Sequence, residues 1–474
     1  MSGIFGVVSQ KNCSELLFYG TDYHSHLGTE FAGLAVCGKR IVRKIRQINQ
    51  AQFKAKFQDE YKTMLGNKGI GVISSQDEQP IYLNSKFGPF AICVNGLITN
   101  SRQLVREMHQ DGVSFSETSE DTVNMAELAG KIISRGNNIG DGIEKMFARI
   151  EGACSLLILH QDGVYAARDK RGLSPLVVGE KEEAWAVTSE TTAFPNLGFR
   201  VKKYLSPGEI VLLTEKGPKL RSKGEKNEQI CAFLWIYTGF PASSYEGINV
   251  EMVREKSGQF LAKNDNVNPD IVSGVPDSGT AHAIGYAMES KVPLRRPLVK
   301  YTPGYDRSYT PPSQRTRDLI AKMKLVPIHQ LIKGKKIVIC EDSIVRGTQL
   351  KNYTVQKLWN NGAKEIHIRP ACPPLMFPCI FNVSTRSIDE LIARKAIKAL
   401  ERKSPKDISE YLDSGSRKYK RMVEWIRKNL GVTSLKYQTI DDMVKAIGLP
   451  KKKLCLYCWN GKFPPPSPNS KGSG

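Results

Sequence analysis

The stretch Lys335–Thr348, KKIVICEDSIVRGT, decides the fold of the C-terminal half of this chain. Residues 337–340 form a short apolar run, and the carboxylates Glu341 and Asp342 follow it directly. Such a run is too short for a helix and predicts a buried strand. Because open α/β sheets bind ligands at the carboxyl ends of their strands, we expect a ligand site at these two carboxylates.

The residues that follow have the composition of a phosphate-binding turn. Ser343 and Thr348 supply hydroxyls, and Arg346 and Gly347 lead into a predicted helix. Hydroxyls and backbone N–H groups at a helix N-terminus bind phosphate, whereas the preceding carboxylates suit ribose hydroxyls or a Mg²⁺ complex. An acidic βα turn with a helix N-cap is the alternative interpretation. The helix is expected to share one face among Thr354, Val355, Leu358 and Trp359.

The complete string resembles the 5-phosphoribosyl-1-diphosphate (PRPP) signature of type I phosphoribosyltransferases. Within that group it is most similar to the glutamine amidophosphoribosyltransferases, which have two Asp residues before S-I-V-R-G-T. Glu341 replaces the first Asp and carries its carboxylate one methylene further out. The resemblance implies that PRPP is bound by Glu341, Asp342, Ser343, Ile344, Val345, Arg346, Gly347 and Thr348.

The composition is that of an ordinary globular protein with room for two or three domains. The chain has 474 residues, of which 40% are hydrophobic and 24% are charged. No apolar run approaches the roughly 18 residues that span a bilayer, and the N-terminus lacks the basic region and cleavage site of a secretory signal. We therefore expect no membrane contact and a cytoplasmic location. The net charge of +22 comes from dispersed Lys and Arg without a recognition motif, which favours a solvated basic surface over nucleic-acid binding.

The pattern of apolar runs predicts two structural classes along the chain. Residues 1–224 contain short apolar runs between turns and one predicted helix at 122–134, which indicates stacked β-sheets. The clearest of these runs are Gly3–Val8, Gly33–Val36, Phe90–Val94, Cys154–Leu159 and Trp185–Val187. Residues 231–369 alternate strands with helices, which predicts a parallel sheet, and residues 395–447 are predicted to be helical.

We therefore predict an α/β and α+β fold class with two domains. The first, at 1–224, is a stacked sheet and helix sandwich; the second, at 231–462, holds the parallel sheet and a helical C-terminal part. The polar stretch at 221–229 is predicted to be a linker, and the Pro-rich end at 463–474 a disordered tail.

The N-terminal half resembles the glutaminase domain of the same family, which is a class II glutamine amidotransferase with an N-terminal-nucleophile hydrolase fold. The matching pieces occur in the family's order and span nearly the whole half. They are Gly3–Gly6, Gly69–Gly71, Asn95–Gly96 with Thr99–Asn100, Arg168–Asp169 with Ser174–Leu176, Thr188–Glu190 and Ser206–Glu209. The resemblance implies a sandwich fold and places oxyanion donors at Asn95 and Gly96.

Two residues depart from what glutamine hydrolysis requires in that family. The family's N-terminal Cys, whose thiol attacks the amide, is replaced by Ser2, and a hydroxyl is a weaker nucleophile than a thiol. The family's Arg that holds the substrate carboxylate is replaced by Ser74, which cannot form a bidentate ion pair. The Asp of the family's S-D-T corresponds to either Glu120 or Asp121. We expect this domain to have lost glutamine hydrolysis.

The resemblance also assigns residues outside the PRPP string. Ser278, in IVSGVPDS, corresponds to a Ser at the Mg²⁺ site, with an ordinary Pro-Asp-Ser-Gly turn as the alternative. Arg307 lies in a Gly-, Pro- and Tyr-rich stretch at 300–324 that suits a loop closing over substrate, where it can stabilise the leaving diphosphate. Lys322 and Lys324 are either helpers or parts of a solvated basic helix. The implied reaction is displacement at ribose C1 by ammonia, with Mg²⁺ as cofactor.

Four of the ten cysteines resemble the ligand set of the iron–sulfur branch of the family. Cys455 and Cys458 have the C-x-x-C spacing that places two thiolates on one metal. The resemblance adds Cys231 and Cys379, and so implies a 4Fe–4S cluster bound by four thiolates. Structural zinc is the alternative. Buried core positions are expected for Cys13, Cys37, Cys93, Cys154 and Cys340.

Four functions are compatible with these residues. The first is a phosphoribosyltransferase that uses PRPP and ammonia, taken from solution or from an ammonia-supplying partner, and makes 5-phosphoribosylamine for purine synthesis. The second is a glutamine-dependent enzyme with Ser2 as nucleophile. The third is a regulatory subunit that binds PRPP beside an active paralogue, and the fourth transfers the phosphoribosyl group to another amine or base. A homo-oligomer is expected by analogy with the family.

Overall fold

The computed structural model describes residues 2–116, 118–119, 122–225, 228–301, 324–381, 387–402 and 405–462. Several predicted features lie outside these residues. They are Arg307 and Lys322 of the proposed closing loop, the alternative positions Glu120 and Asp121, and the tail at 463–474.

The N-terminal half consists of two stacked antiparallel sheets. One has seven strands, in the order Arg200–Tyr204, Val177–Lys181, Ala184–Thr188, Gly3–Ser9, Lys68–Ser74, Phe31–Cys37 and Ile41–Gln47. The other has six strands, in the order Gly217–Ser222, Ile210–Thr214, Gly163–Ala167, Gly152–His160, Gly88–Ile98 and Ile81–Ser85. The predicted stacked sheets are therefore confirmed, and each predicted run lies within a strand.

Helices cover the outer face of each sheet, so the half has four layers. Ser14–Asp22, Phe53–Phe57 and Ala193–Leu197 pack on the seven-stranded sheet, and Ser101–Gln110, Met125–Ile133 and Ile139–Arg149 pack on the six-stranded sheet. In the central strand Gly3–Ser9, Ile4 and Val8 face the other sheet while Phe5 and Val7 face the helices. Because both faces are buried, this strand reads as one continuous apolar run.

The predicted helix at 122–134 is shorter in the structure. It begins at Met125 because Asn124 is its N-cap, with the side-chain Oδ1 accepting the N–H groups of Ala126 at 3.0 Å and Glu127 at 3.2 Å. The two residues before the cap, Thr122–Val123, form a short strand instead.

The C-terminal half is built on a four-stranded parallel sheet. Its order is Ile271–Gly274, Lys336–Glu341, Glu365–Pro370 and Ser434–Leu435. Helices Val250–Lys263 and Thr280–Ser290 cover one face. The other face is covered by Gln356–Asn360, Ile392–Glu401 and Arg417–Leu430. This arrangement confirms the predicted alternation of strands and helices.

Shorter elements complete the described structure. The remaining α-helices are His329–Ile332, Ser409–Leu412, Ile440–Ile447 and Tyr457–Asn460, the π-helices are Leu234–Thr238 and Leu350–Val355, and the 3₁₀ turns are Tyr61–Thr63, Ile388–Glu390 and Lys451–Lys453. The two-stranded pairs are Thr118–Ser119 with Thr122–Val123, Ile230–Cys231 with Leu454–Cys455, Ser244–Tyr245 with Ile248–Asn249, and Leu298–Lys300 with Leu325–Pro327. No helix in the described ranges is both long and apolar enough to cross a membrane.

The helix after the PRPP-like string differs from its prediction in one residue. Thr354, Val355 and Leu358 are buried as expected, but Trp359 is 37% exposed. The indole N–H of Trp359 donates to the Gly431 carbonyl at 2.8 Å, which keeps part of the ring at the surface. The prediction for Trp359 is therefore wrong.

Candidate functional site

Two neighbouring strands place the predicted Mg²⁺ residues next to each other. Strand Ile271–Gly274 pairs in parallel with Lys336–Glu341, with Gly274 opposite Cys340. The turns after both strands therefore meet at the same edge of the sheet. There the Ser278 hydroxyl donates to Glu341 Oε1 at 3.5 Å, and the Ser343 hydroxyl donates to Asp342 Oδ1 at 2.5 Å.

Burial makes the acid pair unfavourable unless a cation is present. Glu341 is 9% exposed and Asp342 is 5% exposed. Burial raises the pKa of Glu341 well above its usual value, and the charge of Asp342 raises it further. A divalent cation bound to both carboxylates would remove this repulsion. The donor set of two carboxylates and a hydroxyl is the oxygen chemistry that Mg²⁺ prefers.

Glycines allow the two turns to approach each other. A Cβ at Gly279 would lie 2.3 Å from the Cys340 carbonyl oxygen, and a Cβ at Gly347 would lie 2.5 Å from Ile392 Cδ1. Gly347 also has a φ of +75°, in the region that favours glycine. Beside it, the Ile392 N–H donates to the Val345 carbonyl at 2.8 Å. The turn at 343–348 is thus fixed by the first residue of helix Ile392–Glu401.

Sequence reasoning missed two ion pairs at this site. Lys300 Nζ lies 2.5 Å from Asp277 Oδ2, and Arg346 pairs with Glu390. Lys300 stands at the end of a strand just before the 302–323 stretch, and Asp277 precedes the predicted Ser278. The P-D-S-G string could have directed attention to Asp277, but nothing in the sequence connects it to Lys300.

The structure brings Ser2 and Ser74 together in the N-terminal half. Their hydroxyl oxygens are 3.5 Å apart, and the Ser2 N–H donates to Asn95 Oδ1 at 3.2 Å. Ser74 is 1% exposed, and its hydroxyl also accepts the N–H groups of Gln76 at 3.3 Å and Asp77 at 3.1 Å. The neutral Ser74 therefore occupies space directly beside the position of the nucleophile.

The cavity beside Ser2 is small and carries a carboxylate. Its volume is about 10 Å³, roughly the room of one water molecule. It is lined by Ser2, Ser74, Ser75, Gln76, Asp77, Gln79, Val94 and Gly96, and so by no basic side chain among the described residues. Burial raises the pKa of Asp77, whose Oδ2 accepts the Met125 N–H at 3.1 Å. Asp77 and Gln79 could not be predicted from the sequence, because no motif distinguishes them.

Of the two predicted oxyanion residues, Gly96 lines this cavity, and Asn95 accepts the Ser2 N–H. Asn95 is buried, and Gly96 has a φ of +148° with Ala153 O only 2.0 Å from where a Cβ would be. Both the conformation and the close approach require glycine at 96. The conformation at the predicted oxyanion residue Gly96 thus requires glycine, while the described side chains that line the cavity offer neither a thiol nor a cation.

The four predicted metal-ligating cysteines come from distant segments and lie near one another. Cys231 and Cys455 are opposite each other in a parallel pair of short strands. A hydrogen bond with Cys379 raises the pKa of Cys458 well above its usual value, and burial and the charges of Cys379, Cys231 and Cys455 add to this. Within the described ranges, however, no group of three or more His, Cys, Asp or Glu side chains is already arranged to hold a metal ion. The donor chemistry fits a cluster or zinc once the thiols are deprotonated.

The remaining cysteines are buried, as predicted. Cys372 is buried as well, and burial raises its pKa, with the charge of Asp342 adding to this.

Comparisons with known proteins cover the whole chain. A family described as a glutamine amidotransferase domain matches residues 68–196. The amidophosphoribosyltransferase of Methanocaldococcus jannaschii is 30% identical over 98% of this chain and 98% of that protein. The amidophosphoribosyltransferase of Bacillus subtilis is also 30% identical, over 98% of this chain and 94% of that protein.

Two solved structures have the same architecture. One is the glutamine PRPP amidotransferase of Bacillus subtilis in complex with ADP and GMP, with a TM-score of 0.84, 29% identity, and coverage of 98% of this chain and 97% of that chain. The other is an allosteric regulatory enzyme of purine biosynthesis, with a TM-score of 0.83, 29% identity, and coverage of 98% and 96%. Likeness over both halves supports the combination of a sandwich and a parallel-sheet domain in one chain.

Proposed function

The chain belongs to the amidophosphoribosyltransferase family, and from this premise we propose that it makes 5-phosphoribosylamine from PRPP and ammonia without hydrolysing glutamine. Amidophosphoribosyltransferase function in purine biosynthesis follows from the full-length likeness. One contrast between the two halves supports the use of ammonia without glutamine hydrolysis. In the C-terminal half, Ser278, Glu341 and Asp342 lie together as the proposed Mg²⁺ ligands require. In the N-terminal half, Ser2 lies against Ser74 beside a cavity of about 10 Å³.

The residues of the C-terminal half have assigned roles in this reaction. Residues 343–348 bind phosphate oxygens of PRPP, and Ser278, Glu341 and Asp342 would hold Mg²⁺, which supplies charge neutralisation at the diphosphate. Arg307 remains a predicted partner of the leaving diphosphate. Ammonia attacks ribose C1, the bond from C1 to the diphosphate oxygen breaks, and the diphosphate departs with that electron pair. The protein contributes position and charge, and no side chain is covalently modified.

Three features of the N-terminal cavity argue against glutamine hydrolysis. The hydroxyl of Ser2 is a weak nucleophile. Ser74 supplies no positive charge for the α-carboxylate of glutamine, and Asp77 places an acidic side chain in the same cavity. The described residues that line this cavity therefore offer no cation to hold glutamine. The ammonia would come from solution or from a partner that hydrolyses glutamine.

The cysteine group would hold the second cofactor. We assign Cys231, Cys379, Cys455 and Cys458 to a 4Fe–4S cluster, supported by the convergence of four thiols from three distant segments of the C-terminal half. Zinc on the same four thiolates is the alternative.

A single assay tests the proposal: PRPP consumption by the purified chain with Mg²⁺ and ammonium, with Mg²⁺ and glutamine, and with Mg²⁺ alone. We expect turnover with ammonium only, and no glutamate release from glutamine. Glutamine-driven turnover that Ser2→Ala abolishes would instead establish Ser2 as a working nucleophile. No turnover under any condition would favour a regulatory PRPP-binding chain or another acceptor.

A further inference from the structure

A buried carboxylate of the N-terminal half contacts the C-terminal half directly. Glu190 is 2% exposed, and its Oε1 accepts the Tyr245 hydroxyl at 2.7 Å. Its Oε2 accepts the Ser243 hydroxyl at 3.3 Å and lies 3.0 Å from His26 Nε2. Tyr245 and Ser243 are fully buried. The Glu190 carboxylate therefore contacts His26 of its own half and both Tyr245 and Ser243 of the C-terminal half.

The residues next to Glu190 extend this contact. The Ser244 N–H donates to Thr191 Oγ1 at 2.8 Å, and the hydroxyls of Thr192 and Ser243 are hydrogen-bonded. Nearby, the fully buried Arg168 donates to Glu246 Oε1 at 2.9 Å. Consecutive residues of the N-terminal half therefore fix the 243–246 segment at several points.

The 243–246 segment in turn fixes the helix that covers the parallel sheet. The Val250 N–H, at the first residue of helix Val250–Lys263, donates to the Ser243 carbonyl at 2.9 Å. Tyr245 packs edge-on against Trp235 with ring centroids 5.6 Å apart. The carbonyl of Trp235 accepts Arg254 Nε at 2.9 Å, and Arg254, which is 3% exposed, also bonds the carbonyls of Tyr237 and Gly239.

From Arg254 the contacts continue to the acid site. His282, fully buried, contacts the Arg254 carbonyl at 3.1 Å through Nδ1. His282 lies in helix Thr280–Ser290, whose first residue comes two positions after Ser278 of the acid site. Burial lowers the pKa of Arg254, and the charge of Asp342 is the first influence that opposes this. Glu190, Tyr245, Arg254 and His282 therefore connect the N-terminal half to the Ser278 side of the site.

Substitution of a buried carboxylate is costly because its hydrogen-bond donors are left without an equally strong acceptor in a low-dielectric environment. Burial acts to raise the pKa of Glu190, but the charge of His26 and the hydrogen bonds with His26 and Tyr245 bring it below its usual value. Glu190 is therefore ionised near neutral pH, and replacing it leaves a buried tyrosine hydroxyl and a buried serine hydroxyl with weaker acceptors.

We propose that Glu190 and Tyr245 are positioning residues for PRPP, and that the N-terminal half anchors the PRPP site through them. This inference rests on the proposed use of PRPP but does not require the N-terminal half to hydrolyse glutamine. It gives that half a role in the C-terminal reaction: its Thr188–Glu190 string holds the elements that carry Ser278.

The test is PRPP affinity of the full chain with Mg²⁺, measured by titration calorimetry well below the melting temperature of every variant. We expect Glu190→Gln and Tyr245→Phe each to weaken PRPP binding about fivefold or more. The double variant should bind PRPP as tightly as the weaker-binding single variant, because both substitutions break the same Tyr245–Glu190 hydrogen bond.

Glu209→Gln is the matched control. Glu209 is also a 2% exposed carboxylate of the N-terminal half, but its side-chain partners, Lys203 and the Ser206 N–H, belong to the same half. We expect it to lower the melting temperature and leave PRPP affinity unchanged. Equal weakening by Glu209→Gln, additive losses in the double variant, or wild-type affinity in Glu190→Gln would overturn the inference. Absence of PRPP binding by the wild type would overturn the proposed function and this inference with it.

Discussion

Glu341 shows how one residue can serve a ligand at the expense of the free protein. Its carboxylate is buried beside a second carboxylate, and both burial and the charge of Asp342 raise its pKa. Because the pKa of Glu341 is higher in the folded state than in the unfolded state, its contribution to the free energy of unfolding depends on pH. The contribution is complete below about pH 4.3, the usual Glu pKa. It is lost as the pH rises through the folded-state pKa. Above that pH, in the absence of a cation, the ionised pair destabilises the fold.

The first prediction follows from the raised pKa of Glu341. Without Mg²⁺ at pH 8, Glu341→Gln should melt at a higher temperature than the wild type, and the difference should shrink as the pH falls toward 4. The same variant should lose PRPP turnover by about a hundredfold. Thermal melting across pH and an ammonium-driven turnover assay measure both effects. A Mg²⁺-free variant that is less stable than the wild type at pH 8 would contradict the prediction.

The second prediction concerns Ser74, because glutamine hydrolysis needs a group that holds the substrate carboxylate as well as a nucleophile. Ser2→Cys restores a thiol, but Ser74 still offers no cation and Asp77 still places a carboxylate in the cavity. We expect glutamate release from glutamine to stay at the level of a protein-free control. A coupled glutamate assay measures it, with Ser2→Ala as the parallel variant. Clear release by Ser2→Cys would show that the cavity opens to admit glutamine.

At the level of elements, the turn proposed to bind PRPP packs against helices that lie far along the chain. A Cβ at Gly347 would meet Ile392 at 2.5 Å and Leu430 at 3.3 Å, from the helices Ile392–Glu401 and Arg417–Leu430. Interiors are packed tightly enough that one added methyl group must displace a neighbour. A Cβ at Gly347 would therefore have to displace the end of the Ile392 side chain.

The third prediction compares two glycines with nearly the same backbone conformation. Gly347 has a φ of +75° and Gly431 a φ of +70°, but a Cβ at Gly431 would meet nothing within 4 Å. Gly431→Ala should lower the free energy of unfolding by about 1–2 kcal/mol from the left-handed conformation alone. Gly347→Ala should lower it by about 1–3 kcal/mol more because of overpacking and should weaken PRPP binding. Denaturant unfolding measures the two variants, and equal losses would show that the helix contact does not constrain the turn.

At the scale of the whole molecule, the cysteine group joins the two ends of the C-terminal half. Cys231 lies at its start, Cys455 and Cys458 at its end, and the first two face each other across a parallel strand pair. The same strand pair lies close to the N-terminal half, because the Cys231 N–H points to the Leu173 carbonyl at 3.5 Å. A metal bound here would cross-link the fold as a whole.

The fourth prediction concerns that metal. Anaerobically purified protein should contain about four iron and four sulfide per chain, and chelation should lower its melting temperature. Cys231→Ser should abolish iron binding. Cys13→Ser, at a buried cysteine remote from the group, should retain it. A content of about one zinc per chain with no iron would show that the four cysteines hold structural zinc and not a cluster.

The fold could be predicted from the sequence to the extent that it depends on consecutive residues. The apolar run at 337–340 with two carboxylates after it determined a buried strand that ends at an acid pair, and the series of short apolar segments determined stacked sheets. Boundaries and faces were less predictable: Asn124 caps the helix that periodicity began at 122, and Trp359 is exposed while its indole N–H donates to the Gly431 carbonyl. Both differences involve hydrogen bonds of polar side-chain groups, which a hydrophobic pattern does not contain.

By itself, the sequence determined the chemistry that is available: a phosphate-binding turn with an acid pair, four cysteines suited to a metal, and a serine where the family has its nucleophile. Only the tertiary structure decided which of these groups meet. The register of the parallel strands placed Ser278 beside Glu341, the antiparallel pairing of Gly3–Ser9 with Lys68–Ser74 placed Ser74 beside Ser2, and the packing of the two halves placed Glu190 on Tyr245. Each of these contacts joins residues far apart in the chain, so it depends on how sheets align and pack rather than on any local preference.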